Sequence, residues 1–222
     1  MHIDKKIKTS ITIPLFFLIG MWLIRLYEVL SDTSLSFLGV YPVSVKGLWG
    51  IVSMPMVHAN FEHLVANSSP FFLLASAIFY FYPRIALRVF CLTWFLTGAF
   101  VWLAGRESYH IGASGLVYGY ASFLFLAGIL SKEKGLAAIA LLVWFLYGGM
   151  VWGILPLKVE VSWEGHFFGM LVGSLQAYSF RKELVTQVQN PESQVVDDDF
   201  TYWSNTAGAD IKYSYTEKKE EA

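Results

Sequence analysis

The residues best suited to chemistry are a serine flanked by glycines and a histidine in a later glycine-rich run. Ser114 lies between Gly112 and Gly115 in the run IGASGLVYG, and His166 lies in the run WEGHFFGMLVG. If the two side chains share a hydrogen bond, the imidazole can take the serine proton and the hydroxyl can act as a nucleophile. Either run alone is weak evidence. Glycine and serine also mark close helix packing, and a membrane histidine can be a packing or proton-relay residue.

A third polar group, earlier in the chain, has the composition of an oxyanion site. His63 and Asn67 are four residues apart, so they share one face of a helix. Their N–H groups suit a developing negative charge, together with the Ser114 amide near the start of a helix. His58 precedes them in a loop.

A metal site is the competing interpretation of the histidines. His58, His63 and His166 would be its ligands. No carboxylate or cysteine joins them, and Asn67 is a poor ligand for zinc. We therefore rank the metal site lower and expect neither a metal nor a cofactor.

Regularly spaced glycines could bring the serine and the histidine together. They recur at every fourth position in two segments: Gly115 and Gly119 in one, and Gly165, Gly169 and Gly173 in the other. Two such faces let helix backbones approach closely, as a shared hydrogen bond requires. Tyr118, one turn after Ser114, could pack under the imidazole of His166 and fix its orientation. No Asp or Glu is an obvious third member of the pair.

The composition indicates a polytopic membrane protein. Of the 222 residues, 55% are hydrophobic and 15% are charged, against roughly 25% charged in soluble domains. The charges are concentrated in the first eight residues and from Arg181 onward, so the middle of the chain is too apolar for a surface in water. A net charge of −1 gives no excess of basic residues of the kind that binding to nucleic acid requires. The single cysteine, Cys91, excludes an intrachain disulfide.

Long stretches without charge predict six membrane helices, because a span needs about 20 helical residues. Five stretches are clear, and they cover residues 9–24, 64–83, 89–105, 111–131 and 135–157. The sixth, residues 167–180, is about 21 Å long as a helix and would be a weak span alone. Its glycines favour a helix packed inside a bundle. The first stretch is interpreted as a retained anchor, because no small-residue cleavage site follows it.

The distribution of basic residues predicts the orientation of this bundle. With a cytoplasmic N-terminus, the inner side collects Lys5, Lys6, Lys8, Arg84, Arg88, Lys132, Lys134, Arg181 and Lys182, and the outer side Lys46, Arg106, Lys158 and the flanking Arg25. Both termini are therefore predicted to be cytoplasmic, which places the chemical residues near the outer face.

Three regions follow from these patterns. Residues 1–10 form a cytoplasmic N-terminal segment, and residues 11–180 form an all-α membrane domain with a long outer loop at residues 31–61. That loop mixes apolar residues with glycine and proline, so we expect it to lie on or partly in the membrane. Residues 181–222 form an acidic tail expected to be mostly disordered. Size and simplicity favour a bacterial inner membrane.

The three motifs together resemble the rhomboid family of intramembrane serine proteases. The matching patterns are HxxxxHxxxN at His58, His63 and Asn67, GxSG at Gly112–Gly115 with Tyr118 one turn on, and HxxGxxxG at His166, Gly169 and Gly173. The resemblance covers residues from about 10 to 180. It implies a six-helix core with Ser114 as nucleophile and His166 as general base, a dyad without an acid.

The resemblance also implies roles for the remaining motif residues and shows one departure. His63, Asn67 and the Ser114 amide would hold the oxyanion, and His58 would support the site structurally. Many family members carry Trp-Arg nine residues before the first histidine of this pattern. Here Trp49 is at that distance, but Gly50 replaces the arginine.

The predicted function is therefore an intramembrane serine endopeptidase that cleaves transmembrane helices near the outer membrane face. Its partners would be single-span or polytopic membrane proteins and the lipid bilayer, with no nucleic acid and an open oligomeric state. A non-catalytic rhomboid-like protein that binds membrane helices is the alternative, although such a protein would be expected to lose the serine or the histidine. A transporter or channel would need charged groups inside the later spans, which lack them.

Overall fold

Seven α-helices and four 3-10 segments form the part of the chain that a computed structural model describes, residues 2–157 and 161–184. The helices are α1 (His2–Leu30), α2 (Gly50–Ser53), α3 (Phe61–Phe81), α4 (Ala86–Ala104), α5 (Ser114–Leu130), α6 (Lys134–Tyr147) and α7 (Trp163–Ser179). The 3-10 segments are Ser36–Leu38, Val45–Gly47, Met54–Met56 and Gly148–Ile154. The prediction of an all-helical architecture is confirmed for these residues. The acidic tail beyond residue 184 lies outside them.

Four stretches are long and apolar enough to cross a membrane: residues 5–30, 61–81, 86–104 and 134–154. The last combines α6 with the 3-10 segment that follows, so the predicted fifth span changes helix type at Gly148 and Gly149. Paired glycines weaken an α-helix at that point. Helices α5 and α7 have 17 residues each, or about 25 Å, which is short of a core of about 30 Å.

Helix α5 lies at the centre and packs against α3, α4, α6 and α7. Buried aromatic side chains join α3, α4 and α5, and the rings of Phe90 and Tyr120 stack at 5.7 Å. The outer helices instead expose large apolar side chains, among them Phe16 on α1 and Phe145 on α6. Such surfaces suit lipid. Helix α5, which carries the serine, is therefore surrounded by other helices, whereas α7, which carries the histidine, packs against α5 and α4 on one side and exposes Leu175 and Tyr178 on the other.

The glycine faces of α5 and α7 meet. A Cβ atom added at Gly169 would overlap the carbonyl oxygen of Gly115, and one added at Gly173 would overlap that of Gly119. Any larger residue at these positions would push the two helices apart. The close approach depends on glycine at each contact.

The loop at residues 31–61 is attached to the rest of the molecule by backbone hydrogen bonds. Val40 and His110 exchange two of them, at 2.9 and 2.8 Å, and the Gly112 amide donates to the Met54 carbonyl at 2.9 Å. The Trp102 indole of α4 donates to the loop at the Ser44 carbonyl. These bonds tie the loop to α4 and to the segment that leads into α5.

The Trp49-Gly50 departure has a steric explanation. Trp49 is largely exposed, whereas a Cβ atom at Gly50 would overlap the backbone of Gly39 and Val40. An arginine at position 50 therefore has no room in this loop. Backbone packing anchors the loop at that point.

Candidate active site

Ser114 and His166 share a hydrogen bond. Ser114 is the first residue of α5, His166 lies in the first turn of α7, and the serine Oγ is 2.8 Å from the imidazole Nε2. The other ring nitrogen, Nδ1, lies 2.8 Å from the carbonyl oxygen of Gly153. Since a carbonyl can only accept, Nδ1 carries the hydrogen and Nε2 is free to accept from the serine hydroxyl. This tautomer suits a general base at Nε2.

Gly153 belongs to the 3-10 segment after α6 and was not predicted as a site residue. A Cβ atom there would overlap the hydroxyl of Tyr118, so the segment can come this close to the imidazole only with glycine at this position. Its contribution is a backbone carbonyl, which any residue type possesses. No side-chain pattern in the sequence could have revealed it.

Tyr118 lies where the sequence placed it, against the imidazole of His166. The two rings are stacked with centroids 4.2 Å apart and planes 6° apart. The tyrosine hydroxyl donates to the Met150 carbonyl at 2.8 Å, in the same 3-10 segment that supplies Gly153. The ring of His166 is therefore held on one face and at one edge.

His63 lies beside the loop that leads to Ser114. Gly112 has a φ of +105°, and a Cβ atom there would be 2.6 Å from the His63 ring. Glycine permits both the backbone angle and the close approach of the ring. The Ser114 amide, in the first position of α5, cannot find an acceptor within its own helix. The ring and the amide are two candidate donors to an oxyanion.

Asn67 is buried on α3 and donates from Nδ2 to the His63 carbonyl at 2.8 Å. An amide nitrogen carries two hydrogens, so this bond leaves one further donor. Asn60 caps the helix by accepting from the His63 amide at 2.8 Å. Among the described residues, Asn67 makes no hydrogen bond to Ser114, and a substrate oxygen would have to lie between them.

His58 is fully buried and contacts the segment before Ser114. Its Nε2 is 3.4 Å from the Ala113 amide, which donates to it, and its ring meets that of His63 edge to face at 5.1 Å. Burial, with a smaller effect of His63, lowers the pKa of His58 to about 4. The ring is therefore neutral near pH 7 and supports both the Ala113 backbone and His63.

A second cluster of polar side chains lies next to this site and was not predicted. His110 Nδ1 is 2.6 Å from Ser162 Oγ, and Arg106 Nε is 3.6 Å from Glu164 Oε1. The signal for it was present in the sequence, because His110 is four residues before Ser114 and Ser162 is four residues before His166. Only the tertiary contact gives that spacing a meaning.

The histidines do not assemble a metal site in the part of the chain that the structure describes. Within it, no group of three or more His, Cys, Asp or Glu side chains is arranged to hold a metal ion. His58 and His63 contact each other through their rings, while His166 uses both ring nitrogens toward Ser114 and Gly153.

The chain matches a known domain family and is similar in sequence to bacterial and viral proteins. Residues 45–183 match the family model of the Rhomboid domain, and this range contains every predicted site residue. Uncharacterized proteins of Mycobacterium tuberculosis and Mycobacterium bovis are 34% identical over 176 residues, covering 75% of this chain and 73% of theirs. A protein of Acanthamoeba polyphaga mimivirus named as a rhomboid protein is 29% identical over 135 residues, 55% of this chain and 70% of its own. With the long apolar helices, the match indicates an integral membrane protein.

Proposed function

Because the chain belongs to the rhomboid family, we propose that it is an intramembrane serine endopeptidase with Ser114 as nucleophile and His166 as general base. The observation that carries the proposal is the 2.8 Å contact between Ser114 Oγ and His166 Nε2. The Gly153 carbonyl supports it, since it holds the hydrogen on Nδ1 and leaves Nε2 as the acceptor. The Gly153 carbonyl would therefore hold the tautomer and orientation of the imidazole, as the acid does in a catalytic triad.

Catalysis would proceed through an acyl-enzyme. His166 Nε2 takes the hydroxyl proton while Ser114 Oγ bonds to the carbonyl carbon of the scissile peptide. The imidazolium then gives that proton to the leaving nitrogen as the C–N bond breaks. A water molecule attacks the ester, its proton passes to Nε2, and the serine oxygen recovers a proton as the acid product leaves.

The oxyanion would be stabilised by three groups around the serine. The Ser114 amide, the His63 ring and the free N–H of Asn67 are its candidate donors. Preorganised donors of this kind contribute about 10²–10³-fold each to the rate in serine proteases. His58 would act indirectly, by holding the backbone at Ala113.

The proposed substrates are membrane proteins with one or more transmembrane helices. The proposal includes six membrane crossings, by α1 and by α3 to α7, with both termini in the cytoplasm. It keeps the membrane domain at residues 11–180 and places the dyad near the outer face. A substrate helix must unwind there to present a carbonyl, because backbone groups exposed in lipid are unsatisfied. The bacterial relatives support a bacterial inner membrane as the location.

The test uses the purified full chain in liposomes with a single-span substrate protein. We expect cleavage by the wild type, covalent labelling by a fluorophosphonate, and loss of both in Ser114→Ala. His166→Ala should also lose cleavage. Ser174→Ala is the matched control, because this α7 hydroxyl bonds to the Met170 carbonyl of its own helix. Undiminished cleavage in Ser114→Ala or His166→Ala would refute the proposal, and a wild type that binds substrate without cleavage or labelling would favour the non-catalytic alternative.

A further inference from the structure

A second serine–histidine hydrogen bond joins the same two segments as the catalytic pair, with the residue types exchanged. His110 precedes Ser114 by four residues, and Ser162 precedes His166 by four. The two residues of each pair are 52 positions apart in the sequence. We call His110 and Ser162 the outer pair, with an Oγ to Nδ1 distance of 2.6 Å, and Ser114 and His166 the inner pair. The segment before α5 and the start of α7 therefore run side by side in one register through both pairs.

Both residues of the outer pair make further hydrogen bonds. His110 Nε2 faces the Arg106 carbonyl at 3.0 Å, so it carries the hydrogen and Nδ1 accepts from Ser162. The Ser162 oxygen also accepts from the Gly165 amide at 3.4 Å, which makes it the N-cap of α7. His110 is buried and Ser162 is partly buried. These features suit a structural role for the outer pair and not a role in a chemical reaction.

An ion pair fixes the same turn of α7 at a second point. The Arg106 guanidinium lies 3.6 Å from Glu164 Oε1, and its Nη2 donates to the Val161 carbonyl at 2.7 Å. Glu164 is 3% exposed, and its Oε2 atom is buried without a hydrogen-bond partner among the described residues. A carboxylate buried to this degree depends on its cationic partner. The ion pair is therefore expected to resist displacement of this turn.

The glycine faces explain why such fixation is needed. Gly115 and Gly119 of α5 and Gly169 and Gly173 of α7 allow backbone contact, but these positions have no side chains that interlock; further along the interface, Ser122 Oγ donates to the Met170 carbonyl at 3.0 Å. Smooth faces permit one helix to slide or rotate against the other. Directional hydrogen bonds and an ion pair at one end of the interface would prevent this.

We infer that Arg106, His110, Ser162 and Glu164 form a clamp that sets the position of His166 relative to Ser114. The inference rests on the proposed function and makes these four positioning residues, because none of them contacts the reacting atoms. Misplacement of a catalytic group by about 1 Å can lower a rate by about 10²-fold. Loss of the clamp is therefore expected to lower kcat and to leave KM nearly unchanged.

The kinetic test compares Ser162→Ala, Ser162→Thr and Glu164→Gln with the wild type in liposomes. The rate is expressed per serine labelled to completion by a fluorophosphonate, so that misfolded protein is not counted. We expect kcat to fall about 10- to 100-fold in Ser162→Ala and Glu164→Gln. Ser162→Thr should recover most of the loss, since threonine keeps the hydroxyl and also caps helices. Ser174→Ala is again the control.

A second measurement does not depend on activity. Hydrogen exchange of the amides in the first turn of α7 should be faster in Ser162→Ala and Glu164→Gln than in the wild type or Ser174→Ala. Wild-type exchange in both clamp variants would overturn the inference, even if the wild type proved inactive and the proposed function failed. Faster exchange with unchanged kcat per labelled serine would also overturn it, because the clamp would then be structural only.

Discussion

Two serine–histidine hydrogen bonds connect the segment before α5 to the start of α7, and they differ in what surrounds the serine oxygen. In the outer pair, Ser162 Oγ accepts from the Gly165 amide while it donates to His110. In the inner pair, Ser114 Oγ has His166 as its hydrogen-bond partner among the described residues. The outer serine uses its hydrogen and one of its two lone pairs, whereas the inner serine uses only its hydrogen and, toward the described residues, keeps both lone pairs unoccupied.

The difference shows that a short serine–histidine distance does not identify a nucleophile. The outer contact, at 2.6 Å, is shorter than the inner one, at 2.8 Å. What distinguishes the inner pair is the set of nearby donors, namely the Ser114 amide and the His63 ring beside Gly112. The role of Ser162 is to cap a helix, and that role requires no such donors.

The largest expected effect separates the two serines directly. Ser114→Ala should reduce cleavage by at least about 10⁴-fold, because the covalent route is lost, whereas Ser162→Ala should retain measurable turnover and fluorophosphonate labelling. The measurement is cleavage of a single-span substrate together with the labelling stoichiometry. Labelling that survives in Ser114→Ala and disappears in Ser162→Ala would reverse the two assignments.

The second-largest effect is expected from a substitution in the interface between α5 and α7, which should disturb both serine–histidine pairs. Gly169→Ala places a methyl group on the Gly115 carbonyl, so α5 and α7 must separate and both hydrogen bonds must lengthen. We expect a loss of about 1–3 kcal/mol in the free energy of unfolding and a fall in kcat of about 100-fold. Thermal unfolding and the cleavage assay measure the two quantities. Leu175→Ala, on the exposed face of α7, is the control, and equal behaviour of the two variants would contradict the close glycine contact.

A smaller effect is confined to the inner pair. Gly153→Ala should displace the 3-10 segment from Tyr118 and weaken the carbonyl contact that sets the His166 tautomer. We expect kcat to fall about 10-fold, which is a part of the about 10²- to 10⁴-fold that a general base contributes. The outer pair should be unaffected, so hydrogen exchange in the first turn of α7 should stay at the wild-type rate. Gly149→Ala is the matched control, because a Cβ atom there meets nothing within 4 Å. If both variants keep full activity, the carbonyl does not orient the imidazole.

The smallest effect concerns the pH dependence of stability. Burial lowers the pKa of His110 below its usual 6.5; the hydrogen bond to the Arg106 backbone and the charge of Glu164 oppose this shift, and the charge of Arg106 adds to it. Burial also lowers the pKa of His58 to about 4. Since the unfolded chain binds protons near pH 6.5 that the folded chain excludes, stability is full above that pH and decreases as the pH falls toward 4. His110→Asn should therefore show a smaller decrease in unfolding temperature between pH 7.5 and pH 5. Identical decreases in both proteins would mean that His110 is not held neutral.

Much of the fold could be predicted because apolar stretches and helices are local properties. The predicted positions of the helix ends were less accurate, for identifiable reasons. Helix α5 begins at Ser114, near which a helix start was predicted, and therefore three residues into the charge-free stretch, because Gly112 adopts a positive φ before it. Helix α6 ends at Tyr147 instead of continuing as an α-helix through the apolar stretch, since two glycines follow. Helix α1 already begins at His2, inside the segment predicted to be cytoplasmic.

The candidate site could be predicted as far as its side chains are unusual in an apolar chain. Ser114, His166, His63 and Asn67 stood out because polar groups at membrane depth need a reason. The Gly153 carbonyl did not stand out, since every residue has a carbonyl. Arg106 and Glu164 were visible as charges, but their pairing joins residues 58 positions apart through backbone and side-chain contacts.

The sequence by itself determined which chemical groups are available and which helices carry them, because composition and periodic spacing fix local structure and burial preference. The tertiary structure alone decided which groups meet. Two serines and two histidines occur at matching intervals, and only the packing of α5 against α7 directs one imidazole to an otherwise unpartnered hydroxyl and the other to a helix cap. The physical reason is that a hydrogen bond depends on separations of a few tenths of an ångström, and these are set by contacts between distant parts of the chain.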